Sequence, residues 1–323
     1  MANPPHPQPP PDDASRPGDA SRHGDRPPCR AERVSEIWQP QQTGQSRRQA
    51  EVVFLGTGTS VGVPALGCDC EVCQSDCPRN QRTRCAITIH FPARPGDVAS
   101  ASGQTPPDGQ TILVDTPPDL RTQLLRERIS LVHAVLFTHE HADHLFGLDD
   151  LRLFPFRLGH PVPLYCQSHV EQRIRQSFDY AFSTRQTTHP GAVPQLEFRN
   201  ITSEPFEVLG VRVTPIPMPH GPHFNVLGFR IGDFAYCTDT NGIPAASLER
   251  LRGLRTFVVG ALRHAPHPTH FSLQEAIEVA AEVGATQTYL THISHDLDYE
   301  KTTRVLPPGV ALSYDGLRVK LNF

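Results

Sequence analysis

Phe137-Thr138-His139-Glu140-His141-Ala142-Asp143-His144 places four potential metal donors within six residues, directly at the end of the apolar run Ala134–Phe137. A short continuous apolar run of this kind reads as a buried strand. The loop it feeds is where a scaffold tends to carry chemistry. A turn here can direct His139 and His141 to one side and Asp143 and His144 to another. Imidazole and carboxylate are the donors that zinc, manganese and iron accept. A solvated polar loop rarely produces this spacing by chance, so the stretch is read as the heart of a metal site.

Outward from this stretch, strand-like runs occur at Glu51–Leu55, Ala86–Phe91, Thr111–Val114, Pro163–Tyr165, Val211–Ile216, Val226–Ile231, Phe234–Cys237, Thr256–Val259 and Thr288–Leu290. They alternate with helical patterns at Pro117–Arg128, His169–Phe178, Pro244–Arg252 and Leu273–Val283. The last is the best marked. Ser272 and Glu275 form a capping box, Gly284 supplies the stop, and Leu273, Ala276, Ile277 and Ala280 form the apolar stripe. Strands and helices mixed over residues 49–323 suit one large α/β domain. Residues 1–48 read as a disordered tail, dominated by Pro, Asp, Arg, Ser and Gln, with Ile37 and Trp38 its only bulky apolar pair. Residues 92–109, of similar composition, read as a surface loop inserted between two strands.

Composition narrows the classes. The 323 residues include 17 histidines, eight cysteines and 33 prolines, ten of the prolines within the first fifty positions. No stretch approaches the roughly 18–20 apolar residues of a membrane span. The N-terminus lacks the apolar region of a secretory signal, so a cytoplasmic location is expected. A net charge of −4 argues against a protein that wraps nucleic acid. Collagen, coiled coil and secreted disulfide knot are excluded.

A second cluster, Cys68-Asp69-Cys70-Glu71-Val72-Cys73, sets three thiols in six positions. Without a secretion signal this spacing favours a metal over disulfides. Closed zinc sites take four ligands, and Cys77, Cys85 and His295 are the candidates for the fourth. Cys166 and Cys237 lie on apolar strands and read as core; Cys29 lies in the tail. A third group, His264, His267 and His270, precedes the capped helix. His270 stands nearest its N-terminus, where phosphate is well received. His160, His169 and His189 read as surface residues, and His223 as a neighbour of His220.

The motif HxHxDH behind a strand resembles the signature of the metallo-β-lactamase superfamily, and the likeness extends from Glu51 to Phe323. It implies a four-layer αββα sandwich with metals at the edge of its two sheets. The superfamily's other positions match Asp115, His220, Asp239 and His292. The implied site holds two divalent metals: one on His139, His141 and His220, the other on Asp143, His144 and His292, with Asp239 between. Such a pair lowers the pKa of a shared water from 15.7 toward about 7 and yields a hydroxide nucleophile. Asp115 would orient a ligand imidazole.

A closer resemblance is to the PhnP group of phosphodiesterases, carried by Cys68-Asp69-Cys70-x-x-Cys73, Thr138-His139-Glu140-His141-Ala142-Asp143-His144 and Thr291-His292-Ile293-Ser294-His295-Asp296. It implies a structural zinc on Cys68, Cys70, Cys73 and His295, with Cys77 in place of His295 as the runner-up. It also implies catalytic roles for His270, Asp143 and Asp239. The position of His270 is similar to that of the catalytic histidine in the related tRNA 3′-processing nucleases. The implied function is hydrolysis of a small, cyclic phosphodiester with two manganese or zinc ions. A nuclease and a thioester or lactone hydrolase are the alternatives within the fold, and a non-catalytic metal-binding module the alternative outside it. No insertion is long enough for a tRNA-gripping arm, so partners are expected to be small phosphodiesters, with neither membrane nor nucleic acid beyond nucleotides. A homodimer is among the expectations, since relatives often pair.

Overall fold

Val52-Val53-Phe54-Leu55 is apolar at every position because both faces of its strand are covered. Val52 and Phe54 face a core between two sheets, while Val53 and Leu55 face helices on the other side. A strand sandwiched in this way shows no polar alternation. The same division runs through the molecule. The structure, a computed structural model, describes residues 48–93, 109–183 and 189–323. All but the last residue of the expected tail and all but the margins of the expected loop insert lie outside them.

The first sheet takes β1 (Gln49–Gly56), β2 (Ala86–Phe91), β3 (Gln110–Val114), β4 (Ala134–Leu136), β5 (Val162–Cys166) and β6 (Leu196–Asn200) in sequence order. The second takes β7 (Phe206–Val208), β8 (Val211–His220), β9 (Phe224–Ile231), β10 (Phe234–Cys237), β11 (Thr256–Gly260), β12 (Gln287–Thr291) and β13 (Val310–Leu312). β14 (Arg318–Asn322) returns to pair antiparallel with β1 and closes the first sheet at seven strands. Val213, Phe229 and Tyr236 meet Phe54, Ile87 and Ile89 in the core between the sheets.

Helices cover both outer faces. On the first sheet lie α1 (Leu120–Arg126), α2 (Ala142–Leu145), α3 (Phe154–Leu158), α4 (Ser168–Ser177) and α5 (Asp179–Phe182), with Leu120, Leu124, Val170 and Ile174 packed inward. On the second lie α6 (Ala245–Arg250), α7 (Leu273–Val283) and α8 (Tyr299–Thr303), with Leu273, Ala276 and Ala280 buried. The order is therefore helix, sheet, sheet, helix, as the family resemblance implies. The α7 cap forms as read: Ser272 Oγ accepts from Glu275 N, Glu275 returns to Ser272 N, and Gly284 ends the helix at φ 66°. Ile277 is only partly buried against that core. The expected helix at Pro117–Arg128 is shorter. Pro117 and Pro118 stay outside it, and Asp119 stands at the N-cap with its carboxylate turned to Arg84.

One consequence of the topology positions the site. β3, β4 and β5 run parallel in the first sheet, as do β10, β11 and β12 in the second. Parallel strands deliver their carboxyl ends to one edge, where ligands of α/β sheets gather.

Candidate metal centres

At that edge β3 runs into Asp115, β4 leads through Thr138 into His139–His144, β10 leads to Asp239 and β12 to His292, while β8 ends on His220. The ring nitrogens of His139, His141 and His220 lie within 4.8 Å of one another, and so do the donor atoms of Asp143, His144, Asp239 and His292. The residues quoted from sequence for one metal and for the other thus fall into two adjacent groups. Asp239 spans them: its Oδ2 lies 3.2 Å from His292 Nε2 and 4.0 Å from His139 Nε2, and its Oδ1 lies 3.5 Å from His144 Nε2.

The donor set fits divalent cations on two observations. The Nε2 atoms of His139, His144 and His292 are buried and have no hydrogen-bond partner, a costly arrangement unless something else meets them. The nitrogen–oxygen gaps are also of the right size. Two ligands at about 2.1 Å from a shared zinc stand roughly 3–3.5 Å apart. His144 Nε2 lies 3.4 Å from Asp143 Oδ2 and His292 Nε2 lies 3.8 Å from it.

These candidate donors are held from behind. Asp115, fully buried, accepts from His144 Nδ1 at 2.8 Å, from the Thr138 amide at 2.8 Å and from the Thr138 hydroxyl at 2.9 Å. His139 Nδ1 in turn donates to the Thr138 hydroxyl at 2.9 Å. One carboxylate therefore sets the orientation of two imidazoles, the second through Thr138, and leaves each Nε2 facing the site. On the other side His220 Nδ1 donates to the Thr269 carbonyl at 2.8 Å. Asp115 was legible as a carboxylate near the site. Thr138 and the Thr269 carbonyl were not, because a hydroxyl and a backbone oxygen carry no motif.

Charge is shared across the cluster. Burial works against ionising Asp239, yet His292 and His144 hold it well below the usual carboxylate range. Asp143 is likewise held down by His144 against its burial. Burial also opposes the charge on His144, but Asp239, Asp143 and Asp115 hold its pKa well above the usual value. Burial and His144 together push His139 well below it. The carboxylates of the cluster are thus favoured in their ionised form, the form in which they bind a cation.

His270 stands beside this centre. Its ring stacks on His292 at 4.7 Å between centroids and meets His220 edge-on at 4.7 Å. It also forms a third donor group with His220 and Asp239. Burial and the nearby His292 push it down to about 3. Its side chain is therefore a neutral imidazole in the free protein. His267 lies 5.2 Å from it, ring to ring, while His264, His160, His169, His189 and His223 are exposed.

The cysteine loop forms a separate group with the segment after β12. His295 Nδ1 lies 3.1, 3.4 and 3.5 Å from the sulfurs of Cys68, Cys70 and Cys73. Zinc–sulfur and zinc–nitrogen bonds of 2.3 and about 2.05 Å at a tetrahedral angle give about 3.5 Å. The Cys73 amide donates to Cys70 Sγ and, against its partial burial, lowers the Cys70 thiol to about 7. Cys77 lies outside this group, and Cys85, Cys166 and Cys237 are buried in the core.

Comparison with known proteins places this architecture. Residues 110–293 match the family model of the β-lactamase superfamily domain. A solved diphosphatase of the PhnP family superimposes with a TM-score of 0.75 at 40% identity, over 85% of this chain and 98% of that one. An octanoyltransferase from Porphyromonas gingivalis is 35% identical over 273 residues, 84% of this chain and 51% of the relative. The chain thus spans about half the length of that protein. A ribonuclease Z from Gemmatimonas aurantiaca is 24% identical over 284 residues, 66% of this chain and 88% of the relative.

Proposed function

The chain belongs to the metallo-β-lactamase superfamily, within its PhnP family, and from that premise we propose that it is a dinuclear metal-dependent phosphodiesterase acting on a small, cyclic phosphodiester. The observation that carries this reading is the pair of adjacent donor groups joined by Asp239, with buried ring nitrogens aimed at carboxylates and bonded to nothing else. His139, His141 and His220 would hold one divalent ion, Asp143, His144 and His292 the other, and Asp239 both. Bound there, manganese or zinc would supply an activated water at neutral pH and countercharge for a phosphate.

The chain's own residues do the rest. Asp115 and Thr138 keep two imidazoles in the tautomer that presents Nε2. His270, neutral when free, offers its N–H to charge developing on the phosphoryl oxygens or the leaving alkoxide. Cys68, Cys70, Cys73 and His295 would hold a structural zinc that ties the cysteine loop to the segment carrying His292.

The diphosphatase relative favours a second substrate class, a diphosphate. A panel of bis-p-nitrophenyl phosphate, 2′,3′-cyclic AMP, a dinucleoside diphosphate, an acyl thioester and a short RNA, each with added Mn²⁺, separates the readings. Turnover of the cyclic or activated diester is expected. Cleavage of the thioester with no turnover of any phosphate ester overturns the proposal.

A further inference from the structure

The His270 ring is held by packing. It stacks on His292 and meets His220 and His267, and among the described residues no hydrogen bond orients it. Its placement therefore rests on the backbone around it, and three ties fix that backbone. The Phe271 amide donates to the Thr240 carbonyl at 2.9 Å. The Thr269 carbonyl accepts from His220 Nδ1 at 2.8 Å. The Pro268 carbonyl accepts from Asn241 Nδ2 at 2.9 Å, while Asn241 Oδ1 accepts from the Gly221 amide, also at 2.9 Å. Asn241 stands two residues past Asp239, Gly221 directly after His220, and Pro268 two residues before His270. One side-chain amide thus joins three segments that each carry a residue of the site. The junction is tight. Gly221 has a φ of 70°, and a Cβ there would lie 2.5 Å from Thr269 Cγ2. The two outer loops touch, and the exposed Asn241 bonds to both.

We propose that Asn241 is the positioning residue for His270, its side-chain amide fixing the loop that carries His270 against the loop that carries His220. This assignment rests on the phosphodiesterase reading above and adds the residue that keeps His270 in place. The chemistry of the side chain suits the task. An amide offers a donor and an acceptor at fixed separation, so it engages a carbonyl and an N–H at once, which a carboxylate does not. Both bonds run to backbone, so Asn241 acts through the loops and stays out of the donor set. A shift of about 1 Å at a reacting group costs up to about 10²-fold in rate. Two ordinary hydrogen bonds therefore govern more of the rate than of the stability.

The test is a double-mutant cycle of Asn241→Ala and His270→Ala in the full chain, assayed with Mn²⁺ on bis-p-nitrophenyl phosphate and 2′,3′-cyclic AMP. Asn241→Ala alone should lower kcat about tenfold or more, with KM and metal content within about twofold of the native values. In the His270→Ala background the same substitution should change kcat by less than about twofold, because the contribution of His270 is lost only once. A general loosening of the fold lowers the rate in both backgrounds alike. A full rate in Asn241→Ala, or an equal loss with and without His270, overturns the proposal. If neither diester is hydrolysed, the phosphodiesterase reading fails and the positioning role is judged by crystal structures of the native and Asn241→Ala proteins. The His270 ring should then leave its 4.7 Å contact with His220 by about 1 Å or more. A ring that stays in place overturns it.

Discussion

Asp115, Asp239 and His292 each take a left-handed backbone, with φ of 65°, 53° and 57°, within two residues of the ends of β3, β10 and β12. Non-glycine residues adopt this region at a cost of order 1–3 kcal/mol each, and such costs gather at functional sites. Asp is among the residue types that tolerate it best, His among those enriched in it. The turn it makes stops the strand and swings the side chain across the sheet edge. Two substitutions separate the roles proposed here. Asp239→Ala should abolish hydrolysis and lower the bound metal, since the carboxylate reaching both donor groups is lost; undiminished metal content would remove it from the ligand set. His270→Ala should keep the metal content and lose about 10²–10⁴-fold in kcat. A full rate in that variant would exclude His270 from the chemistry.

At the scale of elements, the segment from Val63 to Arg82 poses a stability problem. Its only buried apolar group is Val63, Val72 and Cys73, too little to order a loop of that length against its chain entropy. Polar ties do the work instead. Arg82 is 1% exposed and its guanidinium donates to the carbonyls of Ser294 at 2.9 Å and Leu297 at 2.7 Å and to Asn80 Oδ1 at 3.0 Å. Burial lowers its pKa to about 10, which still leaves it charged at neutral pH. Arg79 lies over the rings of Tyr299 and Tyr314. Arg82 therefore fastens the loop to the same segment that carries His292 and His295. Arg82→Met should cost about 3 kcal/mol or more, because two buried carbonyls lose charged donors, and urea unfolding measures it. A loss under about 1 kcal/mol would show that the segment holds without this tie. No pattern in the sequence announces Arg82, since an isolated arginine reads as surface until its acceptors arrive from more than 200 positions away.

The whole molecule brings both proposed centres together through one topology. The two sheets deliver β3 and β4, β10 and β12 to a shared edge, and the segment after β12 supplies His292 to one centre and His295 to the other. Metal analysis of the intact chain should therefore give about three ions, two for the dinuclear site and one for a structural site. Cys70→Ser should remove one and leave the pair. An unchanged zinc count in that variant would point to another ligand set. The strands divide by position in the same way. All ten strands read from apolar patterning, β1 to β5 and β8 to β12, are present, with boundaries shifted by a few residues. The four that patterning does not reveal are β6, β7, β13 and β14, the edges of the two sheets. Leu196-Glu197-Phe198-Arg199-Asn200 and Arg318-Val319-Lys320-Leu321-Asn322 mix charged with apolar residues, as edge strands do to avoid pairing with other chains.

What the sequence determined by itself is everything written in local spacing: the donors from His139 to His144, the three cysteines, the α7 cap and the doubly buried strands. Each of those is specified by neighbours within a few residues, or by burial on both faces. Which donors share a centre, how Asp115 commands two imidazoles at once, where Arg82 finds its acceptors, and that Asn241 joins the loops of His220 and His270 came from the folded molecule. These depend on partners separated by tens to hundreds of residues, and pairing at that range is set by sheet order and chain closure, for which a single sequence carries no periodic signal.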